Sequence, residues 1–294
     1  MNSITDEIKQ TFKEGSMLTR LIYINLGVFL FVKIFSIIFF LFAINGDNFL
    51  VEWLAVPADI NQLIFKPWTL FSYMFLHEAF LHILFNLLWL FWFGKIFLEY
   101  LTGKQLLNVY LLGGLSGAAL YIIAYNLFPA FSESLPFSSA LGASAAVMAI
   151  VIATSVYVPN YTVYLMFLGP VKLKYIALVS FMLDIIMILD GNAGGHIAHI
   201  GGAIFGYFYI TQLKKGKDIS KGFSKTADRV FSWFKPKNNL KVSYRRTETD
   251  KDYRQRKNGE QKNIDKILDK IAKSGYESLS KDEKDVLFRQ SRNN

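Results

Sequence analysis

The sequence predicts an all-α polytopic membrane protein, with a six-helix transmembrane bundle followed by a basic cytoplasmic tail. Three observations indicate this fold class. The 294 residues are 52% hydrophobic and 16% aromatic, a content that soluble domains of this size rarely carry. The apolar residues arrive in blocks of about 20, the length needed to cross a bilayer. The positive charge is concentrated at one end, because residues 211–294 carry 23 Lys and Arg against 12 Asp and Glu.

Apolar blocks account for a predicted bundle over residues 18–213, which follows a polar segment of residues 1–17. The second block is too long for one straight span, so we expect its first part to be a tilted entry or a returning loop. Gly and Pro mark turns between the later blocks. The predicted blocks are residues 18–44, 70–98, 106–128, 142–158, 175–189 and 195–210.

The charges of the loops predict the orientation of this bundle. Lys95 and Lys104 join the second and third blocks, and Lys172 and Lys174 join the fourth and fifth. The alternate loops are acidic apart from Lys66. Because cytoplasmic loops carry an excess of Lys and Arg, both termini are predicted to be cytoplasmic. We therefore expect a multi-pass protein of a cell membrane, of the bacterial inner-membrane kind.

The tail divides into two segments. Residues 214–261 are polar and basic, which predicts a mostly disordered linker, and its basic residues around Val230–Phe234 could lie on an anionic membrane surface. Residues 262–290 combine helical spacing of apolar residues with a capping box formed by Ser280 and Glu283, which predicts a helical hairpin. So short a hairpin needs a surface to dock on, either the bundle or a cytoplasmic partner. A nucleic-acid partner is disfavoured for charge directly beneath a membrane bundle.

One candidate site lies where the fourth block begins, at Gly142-Ala143-Ser144. A hydroxyl at the start of a helix lies near free backbone N–H groups and the positive end of the helix dipole, which favour negative charge. The alternative is structural, since runs of Gly, Ala and Ser are ordinary composition for close helix packing in membranes. The other polar residues of the blocks decide between the functional and the structural interpretation of this segment.

All four histidines lie within or beside predicted spans, where ionisable residues are costly and indicate function. His77 and His82 are five residues apart, about 140° around a helix, so a two-histidine metal site there is disfavoured. The chain also lacks cysteine, which excludes thiolate metal sites, and no metal or other cofactor is expected. His82 and Asn86 are four apart and share a helix face, which suits an oxyanion-binding wall.

The sixth block carries a histidine on a stripe of glycines. His199, Gly202 and Gly206 lie at positions i, i+3 and i+7 of one helix face. Glycines on such a stripe let another backbone approach very closely. A close helix contact of this kind could bring the imidazole of His199 onto a serine of a neighbouring helix, as a Ser–His pair requires.

These residues resemble the rhomboid intramembrane serine proteases. The likeness covers roughly residues 60–210 and rests on three motifs in the family's order and spacing. The matching residues are His77, His82 and Asn86 in the second helix, Gly142 and Ser144 in the fourth, and Ala198, His199, Gly202 and Gly206 in the sixth. The resemblance implies a six-helix transmembrane domain of rhomboid type.

The resemblance also implies the roles of individual residues. Ser144 would be the nucleophile and His199 the general base, while His82, Asn86, Gly142 and the backbone N–H of Ser144 would form the oxyanion site. It implies hydrolysis of peptide bonds in or near the transmembrane segments of single-span or other membrane proteins, inside the lipid bilayer and without a cofactor. The family uses a Ser–His dyad, so no buried Asp is expected to complete a triad. Asp184 and Asp190 are candidates by number only.

Two residues close to the serine depart from the family's usual pattern. Ala145 follows the serine where the family often has Gly, and Met148 stands where it often has Tyr. Neither change removes a catalytic atom. An inactive rhomboid-like protein that binds and escorts membrane proteins is the main alternative to a protease, and a transporter is a more distant one. Inactive relatives usually lack the serine or the histidine, whereas this chain has both.

Overall fold

The computed structural model describes residues 4–44, 49–165, 169–223 and 250–291. Their secondary structure is almost entirely helical, and the apolar blocks of the sequence each contain a helix. In chain order the helices are α1 Ile4–Glu14, α2 Met17–Leu41, α3 Phe49–Leu54, α4 Ile60–Phe65, α5 Thr69–Ser72, α6 Phe80–Tyr100, α7 Gly103–Leu127, α8 Ser144–Tyr157, α9 Leu173–Ile186, α10 Ala193–Lys214, α11 Asp250–Ser274 and α12 Lys281–Ser291. The prediction of an all-α polytopic membrane bundle is confirmed.

Three described helices, α2, α6 and α7, are long and apolar enough to cross a membrane, and α8 is a shorter apolar helix. Large apolar side chains cover the outward faces of α2, α6 and α7, among them Phe31, Phe40 and Trp92, as expected for surfaces in contact with lipid. That six segments cross the bilayer remains a prediction.

Helix α8 lies at the centre and packs against both α7 and α10. Small residues make these contacts possible. A side chain at Gly202 or Gly206 of α10 would collide with the backbone carbonyl of Ala145 or Ala149 in α8, and one at Gly113 of α7 would collide with the Ala149 side chain. The close approach predicted from the glycine stripe is therefore confirmed, and it brings α10 against the start of α8.

The second apolar block is interrupted, as its length led us to expect. After α5, one turn of 3-10 helix (Tyr73–Phe75) is followed by an extended segment before α6 begins at Phe80. Tyr110 of α7 fixes this break, because its hydroxyl donates to the Met74 carbonyl at 2.8 Å. The same hydroxyl lies 3.0 Å from Nδ2 of Asn25, which is fully buried in α2. One polar contact therefore joins three segments of the bundle.

Residues 49–72 form a compact loop that aromatic residues hold in place. Trp53 and Trp68 stack with ring centroids 5.5 Å apart, and Nε1 of Trp68 donates to the Trp53 carbonyl at 2.8 Å. The ammonium of Lys66 lies over the Trp53 ring and donates to the Glu52 carbonyl at 3.0 Å. These contacts make the loop a structured element.

Two short antiparallel sheets were not anticipated by the all-α prediction. Strand β1 (Val56–Pro57) pairs with β2 (Ser139–Ala140), which leads into α8. Strand β3 (Thr162–Leu165) pairs with β4 (Gly169–Lys172) between α8 and α9. The first sheet joins the structured loop to the segment that carries Ser144, so it helps to position the start of α8.

The far end of α8 is tied to the end of α10. Lys214, the last residue of α10, donates from Nζ to the Val156 carbonyl at 2.7 Å, and its ammonium lies over the Tyr157 ring. Beyond α10 the chain continues to contact α7, since Nδ2 of Asn108 donates to Oγ of Ser220 at 2.9 Å. The described bundle therefore extends past residue 213, its predicted boundary.

The chain separates into two compact units, Met1–Phe234 and Lys235–Asn294. In the second unit, α11 begins at Asp250, so residues 250–261 are helical where a disordered linker was predicted. The capping box is confirmed: the Ser280 N–H donates to the Glu283 carboxylate at 2.7 Å, and the Glu283 N–H donates to Oγ of Ser280 at 3.3 Å. The membrane-surface segment predicted around Val230–Phe234 lies outside the described residues.

Candidate active site

A cavity of about 870 Å³ lies inside the first unit. It is lined by side chains from five helices. These include both residues predicted to react and two of the three predicted to bind the oxyanion, His82 and Asn86. From α6 come His82 and Asn86, from α7 Tyr121 and Tyr125, from α8 Ser144 and Met148, from α9 Asp184, and from α10 His199. A cavity of this size and polarity can admit a short length of peptide and water.

Ser144 is the first residue of α8, after a sharp turn. Gly142 has φ +122°, a backbone conformation that residues with a side chain rarely adopt. The Gly142 N–H donates to the Tyr73 carbonyl at 2.9 Å, so the turn is fixed to the 3-10 segment before α6. The first N–H groups of α8 have no acceptor within their own helix, and they can therefore bind negative charge beside the Ser144 hydroxyl.

The ring of His82 closes one side of this turn. A side chain at Gly142 would lie 2.8 Å from Cε1 and 2.9 Å from Nε2 of His82, and 3.6 Å from Oγ of Ser144. The imidazole and the hydroxyl therefore border the same glycine. Asn86 lies one turn further along α6 and uses one amide hydrogen on the His82 carbonyl at 3.0 Å. Its second amide hydrogen leaves a donor for the cavity.

His77 supports the turn from beneath, a role that the sequence did not suggest. Its side chain is fully buried, and its Nε2 accepts a hydrogen bond from the Ala143 N–H at 3.3 Å. Because Nε2 accepts, the ring proton resides on Nδ1, which lies 3.3 Å from the Phe75 carbonyl. The ring also meets that of His82 edge to face, with centroids 5.1 Å apart. The family motif already contained His77, but no spacing rule identified its partner.

A buried Asp lies beside the histidine, although the resemblance to a family with a Ser–His dyad gave no reason to expect one. Asp184 of α9 is 6% exposed, and its Oδ1 lies 2.7 Å from Nδ1 of His199. The same oxygen lies 2.9 Å from Nδ1 of His196, one turn earlier in α10. Asp190, the other candidate by number, is exposed in the turn after α9. The sequence could not reveal this pairing because Asp184 lies on a different helix, and only the packing of α9 on α10 brings the groups together.

Two imidazoles and one carboxylate are also ligands that a divalent metal accepts. The ligand atoms of Asp184, His196 and His199 lie within 4.8 Å of one another. Their N–O distances of 2.7 and 2.9 Å are those of charge-assisted hydrogen bonds. The three side chains thus bind one another directly, and the same groups could also bind a metal. That the reaction needs no metal remains a prediction.

The two departures from the family pattern lie at the site. Ala145 is buried at the contact between α8, α7 and α10, where its methyl group faces Gly117. Met148 lines the cavity one turn after Ser144. Neither side chain stands between Gly142 and the ring of His82.

Comparisons with known proteins identify the family of this chain. A rhomboid domain family model matches residues 65–215. A family of unknown function, DUF6576, matches residues 247–293, which include α11 and α12. The chain is 28% identical over 219 residues to RHOMBOID-like protein 12, mitochondrial, of Arabidopsis thaliana, covering 71% of this chain and 61% of that protein.

Bacterial relatives carry the name rhomboid protease GlpG. The chain is 31% identical over 175 residues to the protein from Yersinia enterocolitica, covering 58% of this chain and 56% of the relative. Over a shorter stretch of 70 residues it is 43% identical to the protein from Pectobacterium atrosepticum. The chain thus spans about three fifths of the length of the longer matches. With the family model covering more than half of its residues, the chain belongs to the rhomboid family.

Proposed function

We propose that this chain is an intramembrane serine endopeptidase that hydrolyses peptide bonds of membrane proteins in or near their transmembrane segments. One observation carries the proposal. The hydroxyl of Ser144 and the imidazole of His199 line one cavity, at a helix contact where Gly202 lies against the backbone of Ala145. The rhomboid proteases among the relatives support the same reaction class.

In the proposed reaction, Nε2 of His199 takes the hydroxyl proton of Ser144 while Oγ attacks the carbonyl carbon of the substrate. His199 then gives this proton to the departing amine as the peptide C–N bond breaks. Water attacks the resulting ester and passes its proton to His199, which restores the Ser144 hydroxyl. Each proton thus passes through one imidazole.

The oxyanion of the tetrahedral intermediate needs donors fixed before the reaction begins. The ring of His82, the free amide hydrogen of Asn86 and the N–H groups at the start of α8 supply them in this proposal. Gly142 contributes differently, because its lack of a side chain leaves room for the His82 ring beside Oγ of Ser144. The hydrogen bond from Ala143 to His77 keeps that turn in place.

The fold also supports a setting for the reaction. We propose membrane-protein substrates, among them single-span proteins, that reach the cavity from the surrounding lipid. The loop charges support cytoplasmic termini and a bacterial type of cell membrane, and α11 and α12 support a cytoplasmic partner for the tail. The proposal includes neither nucleic acid nor a cofactor. The alternative is a rhomboid-like protein that binds and escorts membrane proteins without cutting them.

The test uses the detergent-purified chain with a fluorophosphonate probe and a model single-span substrate. The wild type should label and cleave, whereas Ser144→Ala and His199→Ala should lose both activities. Ser132→Ala is the control, because this exposed hydroxyl lies in the loop before β2, where it donates to the Pro129 carbonyl. A wild type that binds substrate without labelling or cleavage would indicate the escort function.

A further inference from the structure

The pair formed by Asp184 and His199 has the geometry of the last two members of a catalytic triad. A carboxylate can only accept hydrogen bonds, so the 2.7 Å contact requires a proton on Nδ1 of His199. The neutral ring then carries its lone pair on Nε2. This tautomer is the one that a general base needs if Nε2 is to accept the proton of the serine.

We propose that Asp184 is a positioning residue for the reaction, holding His199 in this tautomer and orientation, and that His196 holds Asp184 in turn. The inference rests on the proposed protease function. It adds a third and a fourth member to a catalytic unit for which the sequence predicted a dyad.

The burial of Asp184 explains why two histidines contact it. A carboxylate that is 6% exposed loses most of its contact with water, a loss that only hydrogen bonds or charge can offset. Oδ1 receives both N–H groups, whereas Oδ2 is buried and has no hydrogen-bond partner among the described residues. The carboxylate is therefore held by one oxygen alone, and both donors lie on the same face of α10.

The same contact becomes stronger as the reaction proceeds. When His199 takes the proton of Ser144, its ring becomes positively charged at hydrogen-bond distance from the carboxylate. The attraction between opposite charges then stabilises the transition state more than the ground state, which raises kcat and leaves substrate binding unchanged. A purely structural role for Asp184 predicts no such division between kcat and KM.

Other titratable groups lie on the elements around His199. His196 precedes it on α10, and the remaining titratable groups face it across the cavity from the segment before α6, from α6 and from α7. These groups are Glu78, His82, Tyr121 and Tyr125. Asp184 is the acid within hydrogen-bond distance of the His199 ring among the described residues.

The first experiment compares Asp184→Asn with Asp190→Asn, which removes the exposed carboxylate of the neighbouring turn. Cleavage is measured in detergent with a chelator present, so that a cation bound to the histidines plays no part. For Asp184→Asn we expect kcat to fall at least about tenfold with little change in KM. Asp190→Asn should match the wild type in both quantities.

The second variant pair addresses His196. His196→Asn retains an amide N–H close to the position of Nδ1, whereas His196→Leu removes the donor. We expect the Asn variant to keep most of the wild-type kcat and the Leu variant to lose at least about threefold more. Equal activity of the two variants would contradict the role of His196.

A third measurement needs no change at Asp184, so it holds even if that variant does not fold. The chain has four histidines, whose ring nitrogens can be assigned in a [15N]histidine-labelled sample by replacing each histidine in turn. The neutral ring of His199 should carry its proton on Nδ1. A proton on Nε2, or an Asp184→Asn enzyme that matches Asp190→Asn in kcat and KM, overturns the inference. The protease proposal fails separately, if the wild type itself does not label or cleave.

Discussion

Gly202 of α10 lies against the backbone carbonyl of Ala145 in α8, the residue directly after Ser144. No side chain separates the two helices at this point. The contact therefore sets the distance between the helix that carries the proposed nucleophile and the helix that carries the proposed base. It also explains why the glycine stripe and His199 occur on the same face of α10.

Replacing Gly202 by Val should separate these helices. We expect a loss of about 1–3 kcal/mol in stability, the usual cost of overpacking, together with a larger loss of cleavage than of folded protein. Thermal unfolding in detergent and the cleavage rate measure the two effects. Gly27→Val is the control, since a side chain at that helical position meets nothing within 4 Å. Equal effects of the two substitutions would show that the contact does not position the site.

Gly142 offers a separate test of the turn before Ser144. Gly142→Ala combines an unfavourable φ with a methyl group against the His82 ring, so kcat should fall by at least about tenfold as the oxyanion site narrows. Gly169→Ala shares the positive φ but meets nothing within 4 Å. It should cost stability only, of the order of 1 kcal/mol. Comparable activity of the two variants would argue against a role for the His82 ring.

His77→Phe tests the support beneath the same turn. Phe retains a ring against His82 but cannot accept the hydrogen bond from Ala143, whose N–H is buried. An unpaired buried N–H costs about 1–3 kcal/mol, so we expect lower thermal stability and a lower kcat with an unchanged KM. The steady-state rates and the unfolding temperature provide the measurement. A variant as stable and as active as wild type would exclude this support.

The end of the catalytic unit can be located by two truncations. A chain ending after residue 223 should cleave the model substrate at the wild-type rate. A chain ending after residue 216 loses Ser220 and with it the hydrogen bond from Asn108, so its unfolding temperature should fall. Loss of activity in the chain that ends after residue 223 would instead make the tail part of the catalytic unit.

The capping box of α12 should respond to pH. The hydrogen bond from Lys270, and after it the bond from the Ser280 N–H, lowers the pKa of Glu283 below its ordinary value. The cap is therefore complete at neutral pH, and it is lost as the pH falls through this lowered pKa. Glu283→Gln at neutral pH should speed hydrogen exchange of the first-turn amides of α12, as measured by mass spectrometry. Glu277→Gln, which changes an exposed carboxylate outside the box, should leave that exchange unchanged.

Much of this architecture could be predicted from the sequence. Hydropathy blocks are long and local, so the helices of the bundle lie within a few residues of the predicted blocks, apart from the interrupted start of the second block. The glycine stripe of α10 could be predicted for the same reason, because residue spacing alone determines which residues share a helix face. The capping box could also be predicted, because Ser280 and Glu283 are only three residues apart.

Contacts between distant segments could not be predicted in this way. Strand β1 has two residues and pairs with a segment about 80 positions later, so no local pattern marks it. The contact of Asp184 with His196 and His199 depends on how α9 lies against α10, and hydropathy treats Asp184 only as a polar residue in an apolar block. The roles assigned to Ser144, His199, His82, Asn86 and Gly142 remain a proposal for the experiments above.

The position of Lys214 allows the depth of Ser144 in a bilayer to be calculated. An ammonium group lies at the membrane surface rather than in hydrocarbon, and Lys214 is bound to the Val156 carbonyl near the end of α8. At 1.5 Å per residue, Ser144 lies about 18 Å from this level. In a hydrocarbon core about 30 Å thick, that leaves the serine about 12 Å below the opposite surface. For the proposed protease, a substrate peptide bond that lies in a helix at that depth is protected by the hydrogen bonds of its own helix. Substrate segments that Gly or Pro makes easy to unwind should therefore be cleaved fastest.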